Sequence, residues 1–203
     1  ILEVDFAPRI IELIIVNDGS KDKTQQVLET QKDPRVRVFQ KPNGGKGSAV
    51  QVGIRKAKGK YIVIQDADLE YDPNDIVKLL APVEAKKTKV VYGSRFLGKI
   101  FYMSRETLIA NKLLTWMNNF LYGIHITDAC TCYKLLEGKL MKSLDLRDNG
   151  FDICNEITSK LAKRGEKIID LPINYNARTA AEGKKAKWWN LLTSLRAILY
   201  YKF

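Results

Sequence analysis

Short apolar runs that break off into polar residues alternate along this chain with stretches whose apolar positions recur at helical spacing. The densest run, Tyr61 to Glu70, reads Tyr-Ile-Val-Ile-Gln-Asp-Ala-Asp-Leu-Glu, β-branched residues followed at once by carboxylates. A continuous apolar run of this kind fits a strand buried on both faces, and such strands belong to parallel sheets covered by helices. Ile11 to Val16 is a second such run, ending in Asn17-Asp18-Gly19-Ser20, and Arg35 to Gln40 and Lys89 to Tyr92 predict two more strands. Between them, Ser20 or Asp22 would cap a helix through Thr30 with Val27 and Leu28 as its apolar face. Further helices are predicted from about Ala49 to Lys58 and from Asn74 to Lys86, the latter with Ile76, Leu79, Leu80 and Val83 inward.

In the second half, Ser104 to Tyr122 predicts the longest helix, with Ile109, Leu113, Trp116, Met117, Phe120 and Leu121 forming a stripe expected in the core. Thr127 to Leu135 is β-rich, and Glu137 to Ser143 a short helix. Phe151 to Arg164 predicts a helix with Ile153, Ile157 and Leu161 inward and Glu156 turned to the cleft. Lys167 to Tyr175 carries Pro172, which places that strand at an edge. The succession predicts an α/β fold, a mostly parallel central sheet flanked by helices, over residues 1–177. Residues 178–203 would add a basic segment and an amphipathic helix from Trp188 to Phe203. That helix, with its tryptophans and adjacent lysines, fits either a membrane interface or a dock on the domain's own core.

Composition adds limits. At 203 residues, with 45% hydrophobic and 28% charged positions, the chain is a globular protein with one good-sized core. Its formal charge of +11 suits an anionic partner, whether nucleotide, phospholipid surface or nucleic acid. Cys130, Cys132 and Cys154 form no C-x-x-C pair, and with His125 the only histidine they read as reduced thiols of a cytosolic compartment rather than a zinc site. No signal peptide opens the chain, and no apolar run reaches the roughly 20 residues that a spanning helix needs.

Candidate chemistry gathers where strands end. Asp66 and Asp68 stand at the carboxyl end of a buried strand, where open α/β folds bind ligands, and their oxygens suit magnesium or manganese. A solvated strand end is the plain alternative. Asp18 stands at another strand end, although Asn-Asp-Gly-Ser also reads as a simple turn. Lys41-Pro42-Asn43-Gly44-Gly45-Lys46-Gly47-Ser48 opens a helix, so its backbone N–H groups and Lys46 suit phosphate or ribose oxygens. The G-x-x-x-x-G-K-[ST] spacing is absent, which excludes a P-loop. Arg95, just past a strand in Gly93-Ser94-Arg95-Phe96, would meet a diphosphate or form a surface ion pair.

Taken in order, Val16 to Ser20, Asn43 to Ser48, Gln65 to Glu70, Gly93 to Phe96, Thr127-Asp128, and Arg178 followed by Glu182-Gly183-Lys184-Lys185 make the sequence resemble family 2 glycosyltransferases of the GT-A fold. The nearest group is that of dolichyl-phosphate mannose synthase and the polyprenyl-phosphate glycosyltransferases. The resemblance implies an inverting enzyme that moves a hexose, first of all mannose from GDP-mannose, to a dolichyl or polyprenyl phosphate. A UDP-sugar donor or a glycan hydroxyl acceptor is the enzymatic alternative, and a basic nucleotide- or nucleic-acid-binding protein the non-enzymatic one. It implies nucleotide-sugar contacts from Asp18, Lys46, Asp66 and Arg95, and a Mg2+ or Mn2+ ion on Asp66, Asp68 and Glu70. Ser104, Arg105, Arg178 and Lys184 would meet the acceptor phosphate. Asp68, Arg95 and Asp128 would carry catalysis, Asp128 as base if the acceptor were a hydroxyl. It implies peripheral attachment at the cytoplasmic face of a membrane and no nucleic-acid partner. Two departures stand out. The strand and Tyr-Asn-Glu-like turn that open such proteins are not found before Ile11, and Gly98-Lys99-Ile100 is short for the loop expected there.

Overall fold

The computed structural model describes residues 1–178 and 189–203; Lys184, Lys185 and Trp188 lie outside them. The predicted alternation is present. It runs β1 (Leu13–Asn17), α1 (Thr24–Glu29), β2 (Val36–Gln40), α2 (Lys46–Lys56), β3 (Tyr61–Val63), α3 (Asp75–Glu84) and β4 (Val90–Ser94). The second half adds β5 (Ile100–Tyr102), α4 (Arg105–Tyr122), β6 (Lys134–Glu137), α5 (Gly138–Ser143), α6 (Ile153–Lys163), β7 (Ile168–Pro172), β8 (Tyr175–Asn176) and α7 (Trp189–Lys202).

Strands β1 and β2 pair in parallel, β3-β6-β4-β7 form the four-stranded centre, and β5 pairs in parallel with β8. The sheet is more mixed than predicted. Strand β6 runs antiparallel to both β3 and β4, while β7 is parallel to β4 from Val90 opposite Ile168 to Ser94 opposite Pro172. A run such as Lys134-Leu135-Leu136-Glu137 carries no mark of its direction, because its apolar pattern is the same read either way. Pro172 does end the edge strand. Strand β5, which the sequence did not reveal, is drawn close by Gly98, whose modest size is needed because a Cβ there would lie 1.9 Å from the Ile173 carbonyl oxygen.

The core lies where α3 and α6 meet the four-stranded sheet. Helix α3 buries Ile76, Leu79, Leu80 and Val83, and α6 buries Ile153, Ile157 and Leu161, as their spacing predicted. The central strands contribute Val90, Val91, Tyr92, Leu135 and Leu136, all fully buried or nearly so. Helix α1 buries no residue, and Val27, expected inward, is exposed. The three cysteines are unpaired.

Helix α4 reverses its prediction. Ile109, Leu113, Trp116 and Phe120 face outward, with the Trp116 and Phe120 rings stacked 5.5 Å apart. The face turned inward carries Leu114, Thr115 and Asn118. Thr115 Oγ1 donates to the Asn111 carbonyl and accepts the Ala129 N–H at 3.0 Å, and Asn118 donates to the Leu114 carbonyl at 2.9 Å. The Thr115 bond to Ala129 joins this partly polar face to the segment beneath it, so helical spacing identified the apolar stripe without identifying the inward side. Helix α7 packs on α6 and α4. Ile198 is fully buried, its carbonyl accepts from the Tyr122 hydroxyl at 2.8 Å, and Leu192, Leu199, Tyr200 and Phe203 stay exposed. Docking on the domain and an outward apolar face therefore coexist on one helix.

Candidate active site

Strand β1 ends at Asn17, whose side-chain oxygen accepts the Ser20 N–H at 3.0 Å and turns the chain through Asp18 and Gly19. Asp18 accepts the N–H groups of Gly44 at 3.0 Å and Gly45 at 2.8 Å and pairs with Lys41. Burial works against the charged carboxyl, but Lys41 and the two N–H groups outweigh it and hold Asp18 below the usual carboxylate range. The strand end and the glycine loop are thus tied by one carboxylate.

The loop opens α2 at Lys46, three residues earlier than its spacing predicted, with Gly45 just before it at φ 92°. Two glycines are demanded by packing. A Cβ on Gly45 would lie 2.5 Å from the Asn149 carbonyl oxygen, and one on Gly47 would lie 2.2 Å from that of Asp148. Lys46 leaves the loop and donates to Asp66 at 2.6 Å.

Strand β3 stops at Val63, and the acidic turn that follows is strained at Leu69, where a branched side chain sits at φ 62°. Asp68 accepts the Glu70 N–H at 3.2 Å, and its other oxygen faces Arg178 at 3.4 Å. Glu70 is buried, takes the Tyr175 hydroxyl at 2.5 Å, and pairs with Arg178 at 3.3 Å. Burial, together with the negative charge of Asp66 and Glu70, raises the Asp68 carboxyl above its usual range, against the Glu70 N–H and Arg178. Among the described residues no three histidine, cysteine, aspartate or glutamate side chains converge as a metal-ligand cluster. The predicted ligands Asp66, Asp68 and Glu70 are correspondingly held apart, Asp66 by Lys46 and the other two by Arg178 and Tyr175. Their chemistry nevertheless suits a hard divalent cation, since the turn carries three carboxylates as oxygen donors.

Arg95 and Asp128 are placed differently from expectation. The guanidinium donates to both Asp128 oxygens, at 2.6 and 2.8 Å, while the Arg95 and Cys130 N–H groups also donate to that carboxylate. Arg95 is 5% exposed and Asp128 not at all. The pair is a buried plate under the site, its guanidinium 5.1 Å from the ring centre of the same Tyr175 that holds Glu70. Asp128, with both oxygens engaged, is not poised as a base, and Arg95 is not open to a diphosphate. Ser104 is the N-cap of α4, accepting the Thr107 N–H at 3.3 Å, and Arg105 is exposed beside it. Arg178 faces the carboxylates, and Lys184 lies outside the described residues.

Sequence reasoning missed Lys41 as the partner of Asp18, and Tyr175, which sits in the predicted edge strand with no local mark of a role. It also missed Glu156. Expected at the cleft, Glu156 is fully buried and holds the loop after α5.

The model of the family described as Glycosyl transferase family 2 matches residues 4–144. The chain is 28% identical over 202 residues, 94% of its length, to the dolichyl-phosphate beta-glucosyltransferase ALG5A of Trichomonas vaginalis, spanning 62% of that protein. It is 25% identical over 186 residues, 85% of its length, to the undecaprenyl-phosphate mannosyltransferase of Micrococcus luteus, spanning 75% of that protein. Of some other curated relatives it spans far less, 40% in one case. Among solved structures, glucosyl-3-phosphoglycerate synthase of Mycobacterium tuberculosis, in complex with Mn2+, UDP and phosphoglyceric acid, superposes with a TM-score of 0.65. That match covers 94% of this chain and 67% of the other at 16% identity, a likeness of fold. Because the family match spans well over half of its length, the chain belongs to glycosyl transferase family 2, and it has the GT-A fold.

Proposed function

We propose that this protein transfers a hexose from a nucleotide sugar to a polyprenyl or dolichyl phosphate, with inversion, at the cytoplasmic face of a membrane. The observation that carries the choice of acceptor is Asp128. A hydroxyl acceptor needs a base, and the carboxylate in the expected place is committed to Arg95 through both oxygens. A polyprenyl phosphate needs none. Its second pKa is about 6, so at neutral pH it is mostly a dianion, and one of its oxygens attacks the anomeric carbon directly. The bond from that carbon to the diphosphate breaks as the new one forms, the configuration inverts, and the nucleoside diphosphate leaves. Among the described residues, Lys46 and Arg178 pair with the carboxylates of the acidic turn and are suited to meet phosphate oxygens on donor and acceptor. Mg2+ or Mn2+ on Asp66, Asp68 and Glu70 would withdraw negative charge from the departing diphosphate. The Mn2+ and UDP of the structural relative and the lipid phosphates in the names of two sequence relatives support this reading.

The outward face of α4 supports a lipid surface. Ile109, Leu113, Trp116 and Phe120 form an apolar stripe with Arg105 and Lys112 exposed on the same helix, the composition of a helix lying in a membrane interface. No helix among the described residues is long and apolar enough to cross a membrane. Donor identity divides the relatives between glucose and mannose, so GDP-mannose and UDP-glucose are tested together. Incubation of the full chain with a panel of GDP- and UDP-sugars and polyprenyl phosphate in vesicles should give sugar transfer that requires Mg2+ or Mn2+. Transfer to soluble glycans alone would overturn the acceptor, and salt-steep binding to polynucleotides with no transfer would overturn the enzyme.

A further inference from the structure

The geometry points to Glu156 as the residue that positions the nucleotide-binding glycine loop, and to α7 as the clamp that holds Glu156 in place. This rests on the donor reading above, since it takes the loop around Lys46 as the nucleotide's seat. Glu156 lies in the first turn of α6, fully buried, and its two oxygens accept the N–H groups of Arg147 at 2.9 and 3.0 Å and of Asp148 at 2.8 Å. Lys160 neutralises it from the next turn at 2.6 Å. A buried carboxylate satisfied in this way fixes the backbone that it binds.

That backbone is what the glycine loop rests on. The Asn149 carbonyl accepts the Ser48 N–H at 3.2 Å, the Asp148 carbonyl accepts from Gln51 at 2.8 Å, and the Gly150 N–H closes the turn on Asp148 at 2.7 Å. The missing side chains of Gly45 and Gly47 make room for those two carbonyls, and Phe151 sets its ring 5.9 Å from the Lys46 ammonium. Displacing residues 147–150 would therefore release the first turn of α2, from which Lys46 reaches Asp66.

From the other side α7 holds the start of α6. Ser194 donates to Asp152 at 2.6 Å, and the Asp152 carbonyl accepts the Glu156 N–H at 2.9 Å. On the same helix, burial together with the Glu156 and Asp148 charges pushes the Tyr201 hydroxyl above the usual phenol range. The sequence pattern could not show this, because Glu156, residues 147–150 and α7 touch only after folding.

Tyr201→Phe and Ser194→Ala remove one hydrogen-bonding group each while keeping the helix. In the full chain, titrated with UDP and with GDP in Mn2+, each variant should weaken binding of whichever nucleotide the parent binds by about fivefold, the worth of one hydrogen bond. The donor KM should rise with the acceptor KM and the kcat at saturating donor unchanged. Glu156→Gln, which keeps one acceptor oxygen, should retain more donor affinity than Glu156→Ala. Hydrogen exchange is the measure independent of ligand: amides of residues 44–51 should exchange faster in Tyr201→Phe, with those of β4 unchanged. Parental exchange at 44–51 in both α7 variants would overturn the proposal, as would losses shared equally by donor KM, acceptor KM and kcat. A parent that binds neither nucleotide would count against the donor reading instead, and the exchange result would still decide the role of Glu156.

Discussion

Replacing Asp68 by asparagine is expected to lower metal-dependent sugar transfer by more than about a hundredfold, beyond the loss usual for a residue that merely supports a ligand. It should do so without loss of the fold. Asp68 is a strand-end carboxylate whose ionisation is opposed by burial, Asp66 and Glu70, so a neutral isostere relieves repulsion at the cost of one long contact to Arg178. Stability should then stay within about 0.5 kcal/mol of the parent, as for substitutions away from core features. The measurement is turnover across a Mn2+ titration beside a melting curve. An Asp68→Asn protein that turns over like the parent would remove the acidic turn from the mechanism.

The second large effect concerns Asp128, and there the structure changes what the sequence led one to expect. Asp128→Ala leaves the Arg95 guanidinium buried without its carboxylate, and breaking such a pair costs about 3–5 kcal/mol. Chemical denaturation should show a midpoint shift of that size, and activity should fall because the population of folded protein falls and because Tyr175 loses the plate beneath it. The double variant Arg95→Met with Asp128→Leu tests the assignment, since replacing both charges by apolar groups of similar bulk is often neutral. If it regains stability and activity together, the pair is a foundation for Tyr175 and Glu70. If it regains stability alone, Arg95 acts on the donor after all. A single Asp128→Ala variant with the parent's denaturation midpoint would refute the buried pair.

Much of the architecture was legible because each apolar run and each helical stripe reports its own burial. The inward residues of α3 and α6 follow directly from spacing. Two kinds of information were not local. Direction was one, as for β6, whose apolar pattern is the same read either way. Facing was the other, as for α4, where Thr115 turns inward to accept the Ala129 N–H and the apolar stripe turns out. The carboxylates of the site were legible as strand ends, but their partners were not. Lys41 and Lys46 come from the two ends of the glycine loop and Arg178 from far along the chain, and the burial of Arg95 against Asp128 joins positions 33 residues apart. Glycines 45 and 47 suggested phosphate binding through their spacing. Half of their reason is a loop about 100 residues away, whose carbonyls fill the space that side chains would take.

The cations that sit on Asp66, Asp68 and Glu70 give the cleft a thermodynamic property of its own. An anionic ligand that engages Lys46 and Arg178 draws them away from carboxylates, and a cationic ligand that engages the carboxylates draws them away from Lys46 and Arg178. Each ligand alone therefore has to compete with an ion pair already made, and each relieves the other of that competition. Two ligands of opposite charge bind more tightly together than apart, and linkage requires the gain to be the same whichever arrives first.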